Sequence, residues 1–372
     1  MRRLLLVGTS LALVSMAIAD GDDSKVVVNV APAKKQVAAR AVTPTAFIPV
    51  PVQQSHAMLC ALNRSENSNK WLNELVNEAL SSQGTMNKED VFVSFIDLCP
   101  QPKNFLGDSP GPILASVHGD EMQYASGMAK LVWATTVYNY LVQNCTAMTP
   151  PLQEDVMRML RDGDNAASNR IVDFVTDTES GPALGYPELC DFTKKRDYAN
   201  WYLTTLGFQD FNVNQKVSAS NPAGRDLQSL GRKLPINFEN SNRLTSNQIA
   251  GLFYLLDQEA LVSPGASHAM KAYMFRPLEQ QKVRALPGIA GGLPVGSKLV
   301  SLNGYTVRNY ADAGIITLPS GQRYILSIMT KYNDYASSFI PILSRMIAFR
   351  MQTSTGDEDP DQHLFIPKLA YK

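Results

Sequence analysis

The chain has 372 residues, with 34 basic and 34 acidic side chains, and 45% of its residues are hydrophobic. This length fits one large domain or two packed lobes. The apolar share, which includes 14 Phe and 14 Tyr, is enough to form a core and argues against a disordered chain. The balanced charge argues against a nucleic-acid-binding protein, which would carry a basic face.

The first 19 residues have the features of a secretory signal peptide. Arg2 and Arg3 supply a positive start, an apolar run follows, and Ala17-Ile18-Ala19 forms a cleavage site before Asp20. The apolar run is short for a membrane anchor, and no second run of membrane length follows. We therefore expect a periplasmic or secreted protein that has no membrane span after the signal is removed.

Two further segments flank the body of the chain. Residues 20–55 are rich in Ala, Val, Pro and Lys, a composition that predicts a flexible linker or arm. Residues 353–372 contain an acidic, Pro- and Gly-containing run and are expected to form a loose tail. The folded domain is therefore expected over residues 56–352.

Apolar periodicity predicts the elements of this body. An amphipathic helix is expected over residues 66–82, and strands at 91–98 and 112–117 are expected to form a hairpin. Further helices are predicted from Ser126 and near residues 151–160, 165–176, 194–206, 245–260 and 264–285. Strands at 298–302, 313–318 and 322–330 precede a last helix over 335–351.

This order of elements predicts a two-lobed α/β (α+β) architecture. Strands at both ends of the body suggest one antiparallel sheet, flanked by the N- and C-terminal helices, over about residues 56–120 and 290–352. The helices between them, about residues 121–289, would form an all-helical lobe. A cleft between the two lobes is the natural place for a site.

The four cysteines, Cys60, Cys99, Cys145 and Cys190, are widely spaced. Their spacing matches neither a zinc site nor a redox pair, and in an exported protein it predicts one or two disulfides, with free thiols as the alternative. The four His residues are scattered at no metal-ligand spacing, so neither a metal nor another cofactor is expected.

Three segments carry the residues on which a functional hypothesis depends. The first contains Ser126, followed by Gly127-Met128-Ala129-Lys130 at the start of a predicted helix. The second contains Gly163-Asp164-Asn165, also at a helix start. The third contains Leu302-Asn303-Gly304 in a predicted strand.

Taken in this order, the three segments resemble the serine β-lactamase and penicillin-binding-protein superfamily, in particular the class A-related serine hydrolases. That superfamily uses Ser-x-x-Lys, then Ser-Asp-Asn, then Lys-Thr-Gly. The resemblance covers about residues 90–350 and implies a β-lactamase or transpeptidase-like fold. It also implies an acylated Ser, a Lys that accepts its proton, a relay with a substrate-binding amide, and a cation for the substrate carboxylate.

The chain departs from each of these motifs. Gly127 stands where the nucleophilic Ser is expected, Gly163 where the relay Ser is expected, and Leu302 where the Lys is expected. Three losses in one site predict a catalytically degenerate relative. It would use the remaining pocket to bind a peptidoglycan-derived peptide, a β-lactam or an envelope protein.

Other interpretations remain open at this point. Ser126 lies one helical turn before Lys130, so the two could act as nucleophile and base on a β-lactam or peptide amide, with Asn165 holding the substrate. Ser126 could instead be a helix cap, and Lys130 a salt-bridged residue. A structural envelope component is a third class.

Three further residues or pairs have similar alternatives. Asp164 and Asn165 are residue types that commonly cap helices, and Asn303-Gly304 is a typical strand-end or bulge pair. Glu188 is a weak candidate for the carboxylate that class A enzymes use to activate water, and a disulfide-anchored loop is the competing interpretation.

Overall fold

The computed structural model describes residues 49–83, 87–98, 111–217, 222–231, 240–278, 287–307 and 309–353. These described residues belong to one compact unit. The predicted signal peptide, most of the predicted arm, nearly all of the predicted tail and Cys99 lie outside the described residues.

The described residues form helices and strands in mixed order. The helices are α1 (Val52–Cys60), α2 (Glu66–Ser81), α3 (Ala129–Gln143), α4 (Pro150–Arg161), α5 (Asn165–Thr176), α6 (Tyr186–Arg196), α7 (Tyr198–Thr205), α8 (Gly224–Leu230), α9 (Ser246–Asp257), α10 (Pro264–Met274) and α11 (Phe339–Thr353). The strands are β1 (Asn63–Arg64), β2 (Val91–Asp97), β3 (Ile113–Val117), β4 (Gln123–Tyr124), β5 (Arg243–Leu244), β6 (Phe275–Arg276), β7 (Lys298–Tyr305), β8 (Tyr310–Thr317) and β9 (Arg323–Thr330).

Seven of the strands form one sheet in the order β1-β3-β2-β9-β8-β7-β6. Every neighbouring pair is antiparallel except β1 and β3. All seven residues of β2 are buried, because the sheet is covered on both faces. The mixed α/β architecture and the pairing of the two predicted N-terminal strands are confirmed.

Each face of the sheet packs against its own apolar core. Leu72 of α2 and Phe339 of α11 belong to the core on one face, together with Phe95 of β2. The core on the other face contains Trp133 of α3 and Phe253 of α9. Twelve of the fifteen residues of α3 are buried, so this helix is enclosed on all sides, as expected for an apolar helix at the centre of a domain.

Polar side chains mark where several helices begin. The Ser65 and Ser263 hydroxyls accept hydrogen bonds from the backbone N–H groups of Ser68 and Ala266. Thr245 forms a reciprocal capping box with Gln248 at the start of α9. These bonds satisfy first-turn N–H groups that have no partner within the helix.

The structure differs from the sequence prediction in four of the helices. Helix α1 begins at Val52, inside the predicted arm, because Pro51 directly precedes the helix, where a proline is tolerated. Helix α10 ends at Met274, earlier than predicted, because the chain there turns into the edge strand β6. The sequence analysis did not predict α6 and α8, because the segments before them have the polar composition of loops.

The predicted disulfides are not present among the described cysteines. Cys60, Cys145 and Cys190 are exposed free thiols at the end of α1, after α3 and within α6. A disulfide requires Cβ atoms about 4 Å apart, and spacing along the chain does not determine that separation. Of the helices in the described ranges, none combines the length and apolar character needed to cross a membrane.

A close approach between the turn Ile289–Gly292 and α11 generates a stability prediction. A methyl group on Gly292 would overlap the Pro341 carbonyl oxygen and lie 2.6 Å from the Arg345 backbone nitrogen. We expect Gly292→Ala to lower the free energy of unfolding by about 2 kcal/mol or more, because backbone atoms cannot move aside cheaply.

Gly231→Ala is the matched control for this prediction, measured by urea denaturation. Gly231 has φ of −70°, and a methyl group there meets no atom of the described residues closer than 3.4 Å. This change should leave stability unchanged or raise it by about 0.5 kcal/mol. Equal stability of the two variants would contradict the steric argument.

Candidate functional site

The segment before α3 is held by hydrogen bonds on two sides. Strand β4 pairs with β5 in a separate two-stranded sheet, and the Ala125 N–H donates to the Asn242 carbonyl over 2.9 Å. The Asn309 side chain, just before β8, donates to the Tyr124 carbonyl over 3.1 Å. The start of α3 is therefore fixed relative to the β7–β8 end of the sheet.

Ser126 adopts an unusual backbone conformation at this point. Its φ is +50°, and the residue is 7% exposed in the turn Ser126–Met128 that leads into α3. A positive φ is costly for a residue with a Cβ and is typical of functional sites. Ser126 does not cap α3, because Met128 occupies the N-cap position, so the capping interpretation is wrong.

Lys130, in the first turn of α3, directs its amine towards Gly163. Its Nζ donates to the Gly163 carbonyl over 2.5 Å, and the residue is only 5% exposed. Burial lowers the pKa of Lys130 to about 8, and nearby Asp164 partly offsets this effect. Within the described ranges, Lys130 forms neither a salt bridge nor a hydrogen bond to Ser126.

The second segment lies between α4 and α5. Asp164 is the N-cap of α5, accepting from the Ala167 N–H over 3.0 Å, and it forms a salt bridge with Arg158 at 2.5 Å. The Ala167 N–H, followed by the charge on Arg158, lowers the pKa of Asp164. Asp164 is therefore occupied by a structural role, whereas Asn165 is exposed.

The third segment is regular strand. Leu302 is 1% exposed and belongs to the same core as α3. Asn303 is exposed, and its side-chain amide donates to the Tyr310 hydroxyl over 3.3 Å. Residues Lys298–Tyr305 pair without interruption with β8, so Asn303-Gly304 is not a bulge.

The first and third segments meet at two glycines. A methyl group on Gly127 would lie 2.6 Å from the Asn303 carbonyl oxygen and 2.7 Å from the Gly304 Cα. A methyl group on Gly304 would overlap the backbone nitrogen and Cα of Gly127. The backbones at these glycines touch, and no side chain fits between them.

Two charged residues near this site were not identified from the sequence. Arg276 of β6 donates to the Arg161 and Leu160 carbonyls over 2.7 and 3.3 Å and so links the edge of the sheet to the end of α4. Asp312, opposite Asn303 on β8, is buried and accepts from the Ile289 N–H over 2.8 Å. Burial raises the pKa of Asp312 to about 7. The position of Asp312 between two alanines in an apolar strand is the sequence feature that could have identified it.

The structure therefore brings together Lys130 with Gly163, and Gly127 with Asn303 and Gly304. Glu188 is not part of this group, since it lines a cavity beside α5 and α8. Among the described residues, no three His, Cys, Asp or Glu side chains form a group suited to a metal ion. The groups available for chemistry or binding in these segments are the Lys130 amine with its lowered pKa, the exposed side-chain amides of Asn165 and Asn303, and Ser126 with its positive φ.

The glycine contact predicts the effect of placing a serine at residue 127. Gly127→Ser should lower the free energy of unfolding by about 1–3 kcal/mol, because the added atoms would push β7 away from α3. Urea denaturation measures this change, with Gly231→Ser as the control, since a Cβ at Gly231 meets no described atom closer than 3.4 Å. A Gly127→Ser protein as stable as the parent would show that the contact is loose.

The buried amine predicts a pH dependence of stability. Because folding lowers the pKa of Lys130 to about 8, the unfolded chain binds the proton more tightly than the folded chain between about pH 8 and 10. Stability should therefore rise with pH across this window. Urea midpoints at several pH values should show the rise in the parent, and Lys130→Met should reduce it. The same change at exposed Lys70 should leave the slope intact.

Comparison with known proteins supports the fold. The structure of PBP-A aligns with 78% of this chain and 98% of its own, with a TM-score of 0.52 and 19% identity. A β-lactamase from Sphaerobacter thermophilus aligns with 76% of this chain and 97% of its own (TM-score 0.51, 18% identity). A class A β-lactamase representative from Bacteroides cellulosilyticus aligns with 78% of this chain and all of its own (TM-score 0.53, 14% identity). At these low identities, the structural alignments establish similarity of fold alone.

A search of curated proteins found no match to this chain. A family model described as the beta-lactamase enzyme family matches residues 141–349, which is more than half of the chain. The match includes the segments around Gly163 and Leu302, and the segment around Lys130 lies before it. The chain belongs to the beta-lactamase enzyme family.

Proposed function

We propose that this chain is an exported, catalytically degenerate member of its family that binds a cell-wall peptide or an envelope partner without cleaving an amide. The glycine contact is the observation that carries the proposal. At the place where the resemblance implies a nucleophilic oxygen, a side chain on Gly127 would collide with Asn303 and Gly304.

The other two substitutions support the same conclusion. Leu302 packs into the apolar core at the place where the resemblance implies a cation for the substrate carboxylate. Gly163 has no hydroxyl, and its carbonyl accepts the hydrogen bond of Lys130. Since the catalytic groups of serine hydrolases act as a unit, the loss of the nucleophile alone lowers turnover by about a millionfold.

The remaining groups are suited to binding. The Asn165 side chain is exposed beside the loop that receives Lys130, and Asn303 is exposed on β7. Amide groups such as these recognise peptide backbones through paired donors and acceptors. We therefore infer that a peptide ligand would contact Asn165 and Asn303 without forming a covalent bond.

A second function has its own observation. Ser126 combines a positive φ with a nearly buried hydroxyl, and Lys130, one turn later, has a pKa of about 8. A PBP-A variant of the same fold has been captured as an acyl-enzyme complex with penicillin G. In the alternative, this chain would form a similar adduct on Ser126, which requires Lys130 to release Gly163.

Intact-mass measurement separates the two functions. The mature protein, beginning at Asp20, is incubated with a reporter penicillin, and we expect no mass increase. A covalent adduct that disappears in Ser126→Ala but persists in Ser301→Ala would overturn the degenerate interpretation. Ser301 is a suitable control because it is similarly buried, at 5% exposure, on β7.

The binding arm uses the same preparations with purified cell walls. We expect the parent to co-sediment with the walls, Asn165→Ala to co-sediment several-fold less, and Asn77→Ala, at an exposed position of α2, to match the parent. If the parent fails to co-sediment, the cell-wall form of the proposal is wrong. Fractionation of cells that express the full chain tests export.

A further inference from the structure

A cavity on the helical side of the molecule is lined by residues other than Lys130 and Gly127. Its volume is about 410 Å³, and its walls come from the end of α5, from α6 and from α8. This volume falls within the range of small-ligand sites, about 300–1,000 Å³. None of its lining residues belongs to the segments around Lys130, Gly163 or Leu302.

The loop between α5 and α6, which forms one wall, is held in place by α8. The Gln228 side chain donates to the Leu184 carbonyl over 3.1 Å and accepts from the Leu184 N–H over 2.8 Å. The Arg225 N–H donates to the Gly181 carbonyl over 3.2 Å. This wall is therefore preorganised, which reduces the entropy that a ligand would lose on binding.

Several charges of the cavity and its base are already paired. Arg196, 1% exposed, lies 3.2 Å from Asp173 and 3.0 Å from Asp226. Lys195 pairs with Asp177 at 3.0 Å and with Asp191 at 3.7 Å. These ion pairs stabilise the walls of the cavity. The lining still contains acidic and basic side chains outside these pairs.

Three lining groups have no ionic partner within the described part of the chain. The carboxylates of Glu179 and Glu188 form no salt bridge there, and Arg225 uses only Nε, which donates to the Pro182 carbonyl over 3.2 Å. Both terminal nitrogens of the Arg225 guanidinium are thus available, in the fork geometry that suits a carboxylate. Leu184 and Phe192 are the apolar residues of the lining.

We propose that this cavity binds a short basic peptide that has a free C-terminal carboxylate. Arg225 would bind the carboxylate, Glu179 the α-ammonium group and Glu188 the side-chain ammonium group. Phe192 lies one helical turn after Glu188, so the methylene groups of a lysine side chain would contact the Phe192 ring.

The balance of charge favours a cationic ligand over an anionic or metallic one. Five carboxylates and two cationic side chains line the cavity, so a ligand with more ammonium than carboxylate groups compensates it best. In the described ranges no three acidic side chains are arranged to hold a metal ion, whereas separate carboxylates suit separate ammonium groups.

Calorimetric titration of the mature protein with the dipeptide Lys-Ala at low salt tests this proposal. Norleucyl-alanine, which lacks the side-chain ammonium group, and Lys-Ala amide, which lacks the carboxylate, are the comparison ligands. We expect each to bind about tenfold more weakly than Lys-Ala, since one charge-assisted pair contributes roughly that factor.

Two variants assign these contacts. Glu188→Gln should weaken Lys-Ala about tenfold and leave norleucyl-alanine unchanged, and Arg225→Gln should weaken Lys-Ala and leave the amide unchanged. Glu66→Gln is the matched control, since Glu66 is also an exposed glutamate in the first turn of a helix. If Arg225→Gln fails to fold, Arg225→Lys, which keeps the charge but not the fork, should still weaken the acid selectively.

The proposal is overturned if Lys-Ala gives no measurable binding, if norleucyl-alanine binds equally well, or if Glu188→Gln and Glu66→Gln behave alike. These results are independent of the reporter-penicillin and cell-wall experiments, which concern residues outside this cavity.

Discussion

The contact between the Gly127 and Gly304 backbones sets the distance between the start of α3 and the end of β7. Helix α3 runs through the middle of one apolar core, and β7 is continuous with the sheet. Because both are held by many other contacts, neither can move to admit a side chain at residue 127 without disturbing a core. The chemistry available at this site follows from that contact.

The buried amine of Lys130 depends on the same arrangement. A charge this far from water is costly unless it has a partner, and the Gly163 carbonyl supplies one. Arg276 of the edge strand β6 donates to the Arg161 carbonyl at the end of α4, two residues before Gly163. The edge of the sheet therefore helps to position the loop that accepts the hydrogen bond from Lys130 of α3. The low pKa of Lys130 is thus a consequence of burial, and it does not by itself indicate catalysis.

Most elements could be predicted from the sequence in their correct order, because long helices and strands have a clear apolar periodicity. Helices α2, α4, α5 and α9 and the strands β2, β3 and β9 lie close to the predicted ranges. Short elements were missed where loop composition masks them, as at α6 and α8. The disulfide prediction failed for the described cysteines because distances between Cβ atoms depend on how helices pack.

By itself, the sequence determined the family resemblance and the absence of three reactive groups, since a glycine or a leucine has no hydroxyl or amine in any conformation. Only the tertiary structure decided that residue 127 has no space for a side chain and that Glu188 lies in a separate cavity. Each of these depends on contacts between residues far apart in the chain, and local pattern carries no information about them.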